Sequence, residues 1–233
     1  MKSLFYGLAA LLVLLSCTKT EKCPPDEILG SLSLIGESRN FLPYANIRFL
    51  EFIDSAALDT AVLYSLNSLI LDSSRTVIEN ICLEDEERAD RFYQSEHRTV
   101  DFFDLDTSRK FRIFGNLGVN EDFLSDSSTL ENPVLYDELK LTVHRSNPSL
   151  SGAVATLEFV ANDRGNAGRF SDSLMSRLQR FPLMPSVRIN DSVFQDVYEF
   201  RNGDSLSFYF KPYRGVVAFR DFQNKWWTLN KTR

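Results

Sequence analysis

From Ile28 onward the chain alternates apolar and polar residues with a period of two, in short runs separated by turn residues. That is the pattern of half-buried strands; a helix would repeat its apolar positions every three or four residues. Residues 47–53, 62–71, 76–83, 99–105 and 110–114 are predicted strands, followed by longer ones at 134–144 and 153–160. The C-terminal third predicts 186–189, 193–200, 206–211, 216–220 and 226–229, divided by Asn190-Asp191, Asn202-Gly203-Asp204 and Arg214-Gly215. Asn202-Gly203 predicts a two-residue type I′ hairpin, which needs positive φ at both central positions. Carried across the Gly203 and Gly215 turns, the period of two predicts one buried face. It would hold Tyr209, Val217, Phe219 and one of Trp226 or Trp227, leaving Arg220 and Lys225 wet.

One segment breaks the period. In 171–181 the apolar residues Leu174, Met175, Leu178 and Phe181 fall on one helical face, with Ser171 as N-cap and Pro182 as stop. The acidic run 83–88 is expected to form a charged hairpin end between strands. The fold class is therefore mainly β: an antiparallel meander with one short helix, closing as a half-barrel, a barrel or a sandwich. A single β-rich domain over 28–233 is expected, with a sub-boundary near 162–185.

The start of the chain has a different character. Lys2 precedes an apolar run over residues 4–15, far shorter than the roughly 20 residues a membrane-spanning helix needs. The run ends in Leu14-Leu15-Ser16-Cys17, which resembles the bacterial lipobox. That resemblance implies a signal peptide over 1–16 and lipidation of Cys17, whose sulfur is the nucleophile that takes the diacylglycerol. Residues 17–27 then form a polar, proline-bearing tether. Several acyl chains on one residue make attachment to a membrane effectively permanent. Thr18 stands where an inner-membrane retention aspartate would follow the cysteine, so the outer membrane is the expected destination. Lys19-Thr20-Glu21 resembles the surface-export tag only weakly, which leaves the periplasmic and external faces both open.

Composition narrows the partners. The net charge of −6 opposes binding to nucleic acid, whose phosphates demand clustered Lys and Arg. A hydrophobic content of 43% with 19 phenylalanines supplies a sizeable core, so the chain is no disordered stalk. With Cys17 assigned to the anchor, Cys23 and Cys82 remain as a pair in an oxidising compartment, and a disulfide between them is expected.

Catalytic patterns are sparse. His97 and His144 are the only histidines, and neither has a second histidine or a cysteine at metal-ligand spacing. No Gly-x-Ser-x-Gly elbow nominates a nucleophile. Asp101, Asp104 and Asp106 lack the glycine and bidentate glutamate of a calcium loop and read as strand-end caps. No catalytic residue, metal or cofactor is nominated. The aromatic surplus near the C-terminus offers Trp226 and Trp227 as candidates for stacking on a ligand. Ser55, Thr60, Ser173, Ser192 and Ser205 each follow an aspartate and precede an aliphatic residue or alanine. That pattern resembles the O-glycosylation acceptor of Bacteroidota envelope proteins, although Asp-Ser is also a good turn starter.

Two groups of motifs carry a wider resemblance. Near the start stand Leu29-Gly30-Ser31-Leu32-Ser33-Leu34, Ser38-Arg39-Asn40-Phe41-Leu42-Pro43-Tyr44 and Leu50-Glu51-Phe52-Ile53-Asp54-Ser55. Near the end stand Phe194-Gln195-Asp196-Val197-Tyr198, Gly215-Val216-Val217-Ala218-Phe219-Arg220-Asp221 and Trp226-Trp227-Thr228-Leu229. Together they resemble a family of Bacteroidota lipoproteins that carries no assigned activity, so no catalytic residue is transferred. The resemblance implies an outer-membrane lipoprotein. The expected role is non-enzymatic: binding or scaffolding in the envelope, with an apolar ligand or lipid, a glycan or another envelope protein as partner. An envelope hydrolase with an unrecognised site is the alternative.

Overall fold

Thirteen strands share one sheet in the computed structural model, which describes residues 23–56, 59–67, 69–84, 87–106, 108–144, 154–178, 183–202, 206–221 and 223–233. They are β1 (Glu27–Leu32), β2 (Phe49–Asp54), β3 (Thr60–Tyr64), β4 (Ile70–Glu84), β5 (Glu87–Asp104), β6 (Arg112–Glu121) and β7 (Leu135–His144). After β8 (Val154–Asn162) come the short helix α1 (Asp172–Leu178) and then β9 (Leu183–Ile189), β10 (Ser192–Asn202), β11 (Leu206–Lys211), β12 (Gly215–Arg220) and β13 (Trp226–Thr232). The sheet is mainly antiparallel and curls into a half-barrel in the order β8-β7-β6-β5-β3-β2-β13-β12-β11-β10-β9.

The strands follow the alternation in the sequence. Leu50, Phe52, Ala61, Leu63, Val100, Phe102, Ile113 and Leu117 point inward and are fully buried, while Phe49, Glu51, Val62, Tyr64, Asp101 and Phe103 point outward. Two departures from a plain meander shape the molecule. Strand β5 is 18 residues long and serves two partners on each side. Its first part pairs with β4 and, in parallel, with β1, while its last part pairs with β6 and β3. The second departure is that β13 pairs with β2, so late strands lie against early ones.

The chain passes from β8 at one end of the sheet to β9 at the other, through a turn at Asn162–Asn166 and through α1. Curling brings those ends face to face without a hydrogen-bonded ladder. Phe159 of β8 lies 4.8 Å from Tyr198 of β10, and Phe41 stacks on both Phe159 and Phe210. Ser171 caps α1 as expected, its hydroxyl accepting the Leu174 N–H at 3.2 Å. The expected continuation of the helix to Phe181 and Pro182 lies outside the described residues.

Segment 33–47 packs into the curl through Leu34, Ser38, Leu42 and Tyr44, while 35–37, 45 and 46 stay exposed. Asp137, fully buried on β7, accepts hydrogen bonds from the Ile35 amide, the Ser38 hydroxyl and Arg164. Glu96 on β5 takes the Leu34 amide and the guanidinium of Arg39. Leu42 packs where a side chain on Gly115 would stand, and Tyr44 meets the ring of Phe102 edge-on at 5.2 Å. The half-barrel's interior is thus filled by its own chain.

Three sequence expectations need correction. Residues 62–71 do not form one strand, because the chain leaves the ladder after Tyr64 and re-enters at Ile70. The Asn202-Gly203 pair does not set a two-residue loop, since Asn202 pairs with Leu206; a loop of Asn202 and Gly203 alone would pair Arg201 with Asp204. Tyr209 and Val217 do not share a face with Phe219. The register shifts so that Phe210 pairs with Val216 while Tyr209 pairs with Ala218. That bulge turns Val217 to the outer side with Tyr209 and Trp226, and leaves Phe219 inside with Trp227. Lys225 is also drawn from solvent into an ion pair with Asp54, and Arg220 lies over the Trp226 ring.

Candidate functional site

The outer face of β2, β3 and β5 presents an aromatic row. Phe49 is in register with Tyr64, and Tyr64 with Phe103. The rings touch in sequence, with centroids 5.1 Å and then 5.9 Å apart. Phe49 and Phe103 are each 37% exposed, although the polar side of such a strand ordinarily holds polar residues. Beside the row lie Val62 and Leu105, whose backbones are joined by a hydrogen bond, and Leu105 is strongly exposed.

At the Phe49 end this surface deepens into an open cleft of about 510 Å³, within the size range of small-molecule sites. Phe49 and Val62 form its apolar floor, and Arg48, Lys231 and Arg233 supply cations around it. The register explains the gathering. Arg233 exchanges backbone hydrogen bonds with Phe49, and Lys231 pairs with Glu51, so the last residues of the sheet stand beside β2. Lys231 approaches Glu51 at 3.9 Å, and Glu51 also accepts from Asn230. Arg48 and Arg233 form no ion pair among the described residues and are exposed.

The opposite end of the row is charge-neutral. Phe103 is in register with Arg112, whose guanidinium is held by two hydrogen bonds to Asp101 at 2.7 and 2.6 Å. His144 comes next in register; burial and the nearby Arg112 push its ring below the ordinary histidine value, against the pull of Asp101. The face therefore has one end with free positive charge and an apolar body.

A second polar cluster lies under α1. Arg177 reaches Glu138 at 3.4 Å, Glu158 at 3.2 Å and the Tyr136 hydroxyl at 3.2 Å. Burial pushes the Glu138 carboxyl up, while the Lys140 ammonium holds Glu158 below the usual range. Two carboxylates moved in opposite directions are the pattern of an acid–base pair. Here, however, their oxygens are taken up by Arg177, Lys140 and Asn120, which makes the cluster a clasp between helix and sheet.

The residues singled out from sequence are scattered. Cys17 lies outside the described residues. Cys23 and Cys82 are joined as a disulfide with Cα atoms 5.7 Å apart, tying the start of the described chain to β4. Trp227 is 2% exposed, donates its indole N–H to Asp221 at 3.0 Å and packs on Phe111 and Phe219, so it presents no ring face to a ligand. Trp226 is half-buried, stacked on Tyr209 with Arg220 on its ring. Ser55 and Thr60 are exposed at the β2–β3 turn, Ser173 on α1 and Ser192 at the start of β10, and Ser205 lies outside the described residues. Asp101 and Asp104 are paired with arginines, and Asp106 accepts from Ser108. His97 bonds to Asn116, and no group of three or more metal-ligating side chains comes together among the described residues.

The aromatic row was missed from sequence. Its signal was present: Phe49, Tyr64 and Phe103 have the parity opposite to the core residues of their strands. What the sequence lacks is the register that aligns them.

No protein-family model, curated protein or solved structure matches this chain.

Proposed function

We propose that this chain is a lipid-anchored protein of the bacterial outer membrane whose β-domain binds a ligand or partner on its exterior and performs no chemistry. The anchor follows from the lipobox-like sequence ending in Cys17, and the family resemblance points the same way. The observation that carries the binding role is the placement of apolar surface. The interior is filled by Leu34, Leu42 and Tyr44, whereas a cation-rimmed cleft with an apolar floor stands open on the outside. Exposed apolar surface beside a concavity marks a site of contact with an apolar ligand, a glycan or an envelope protein.

The test has two arms. Replacing Cys17 with Ser should move the protein from the membrane to the soluble fraction. Hydrogen exchange on that soluble form, with a panel of alkyl amphiphiles and oligosaccharides, should show ligand-dependent protection in β2 and β3. Turnover of ester or glycoside substrates with no protection by any ligand would overturn the binding role.

A further inference from the structure

We propose that the outer cleft and its aromatic row bind a free single-chain fatty carboxylate, with the head at Arg48 and Arg233 and the hydrocarbon tail laid across Phe49, Tyr64 and Phe103. This deepens the binding role above and rests on it. Charge complementarity chooses the head. The protein as a whole is acidic, yet two guanidiniums with no ion-pair partner among the described residues flank the apolar floor of this cleft. The main-chain oxygen of Arg233 is turned into the sheet, where it accepts the Arg48 and Phe49 amides. Arg233 itself is exposed and lines the cleft beside Arg48. Glu51 also lines the cleft, but it accepts from Asn230 and is approached by Lys231, so the two guanidiniums remain the charges open to a head group and favour an anion.

Register chooses the tail. Three adjacent strands carry the row, so its two inter-strand steps and the ring widths span about 10–14 Å. That length suits about eight to ten extended carbons. At the far end Arg112 is already neutralised by Asp101, so a second anionic group gains nothing there. The site has one charged end, like the ligand.

Position in the fold chooses the source. The tether enters beside Cys82, which is in register with Ala89, whereas the aromatic row crosses β5 at Phe103. Fourteen strand residues separate Ala89 from Phe103, about 45 Å along β5. The six residues from Cys17 to Cys23 reach at most about 20 Å. The row thus lies farther along β5 than the tether can reach, and an amphiphile free in solution is the source proposed, with vesicles as the competing one in the test.

The experiment uses the Cys17→Ser protein and titrates octanoate, decanoate and dodecanoate by calorimetry below their critical micelle concentrations. Affinity should rise about two- to fourfold per added methylene from octanoate to decanoate and level off at dodecanoate, whose chain overruns the row. Dodecyltrimethylammonium should bind at least tenfold more weakly than dodecanoate. Arg48→Glu, an exposed position, should weaken dodecanoate about tenfold with an unchanged melting temperature. Phe103→Ala should flatten the chain-length dependence beyond octanoate. Vesicles of phosphatidylglycerol should not retain the protein. Equal binding of the cationic and anionic amphiphiles, indifference to Arg48→Glu, or retention by vesicles would each overturn the proposal. Protection of β2 and β3 by an oligosaccharide, with no response to dodecanoate, would overturn it while leaving the wider binding role standing.

Discussion

The hydroxyl of Tyr44 occupies the space that a β-carbon on Gly215 would need, and it accepts the Val216 N–H at 2.9 Å. Gly215 also has φ +82°, which an L side chain adopts only with strain. Gly215→Ala should therefore destabilise the protein through both backbone strain and a clash with a buried ring. Tyr44→Phe keeps the ring but leaves the Val216 amide unsatisfied, at a cost of about 1–3 kcal/mol. Urea denaturation of both variants checks this. A neutral Tyr44→Phe would mean that the amide finds water.

The bulge between β11 and β12 divides the C-terminal aromatics into two environments, with a different outcome for each. Phe219 is fully buried in the main core, and Phe219→Ala should cost about 3–5 kcal/mol. Trp226 is half-buried, and Trp226→Ala should cost distinctly less. Arg220→Ala, which removes a cation over the Trp226 ring and a hydrogen bond to the Asn224 carbonyl but no core packing, should shift the melting temperature least. A calorimetric ranking of the three variants reads the bulge directly.

Reduction of Cys23–Cys82 should lower stability by about 2–4 kcal/mol, because the bond closes a separation of 59 residues. The Cys23→Ser/Cys82→Ser protein should melt at a lower temperature than the oxidised wild type and should not respond to reductant. Mass spectrometry of the oxidised protein should show two hydrogens fewer than the reduced form.

Acid should loosen the internal segment. Burial opposes the charged form of Glu96, but hydrogen bonds from Arg39, Arg98 and the Leu34 amide outweigh it and hold the carboxyl below its ordinary value of 4.5. Its stabilising contribution is thus complete above 4.5 and is lost as pH falls through the lower, folded value. Glu138, pushed up by burial, has the opposite sign: its contribution is present below 4.5 and is lost as pH rises through the raised value. The stability gap between wild type and Glu96→Gln should therefore narrow as pH falls below 4.5. Glu138→Gln should gain on the wild type as pH rises from 4.5 through the raised value. Denaturation midpoints from pH 3 to pH 7 test both signs.

Much of the fold is legible in the alternation of apolar residues, since each of the predicted strands overlaps an observed one and Ser171 caps the helix. The reason is local: a half-buried strand writes its two faces into its own sequence. Register is not local. The bulge that separates Val217 from Phe219 depends on how β11 meets β12, so two residues of equal parity end on opposite faces. The length of β5 was hidden because buried polar residues such as Asp90 and Ser95 interrupt its apolar signal. Segment 33–47 reads as a loop, yet Leu42 and Tyr44 fill the core because Gly115 and Gly215 leave room for them. Two of the motifs singled out in the sequence, 38–44 and 215–221, meet at that contact. The candidate site suffered most, since Arg233 comes beside Arg48 only through the pairing of β13 with β2, and Phe49, Tyr64 and Phe103 align only through that of β2, β3 and β5.

The internal segment also has a consequence for how the chain reaches this structure. Tyr44 must wait for Val216, 172 residues later, and the backbone of Ile53 for Thr228, 175 residues later. Such distant pairings make closure entropically costly and place folding in the slow, β-rich regime of milliseconds to seconds. An emerging chain can pack Leu42 against Val100, Gly115 and Leu141, but the pocket around Tyr44 is completed only when β12 arrives. Closure of the curl is therefore a late event, which waits on the meeting of the two ends of the chain.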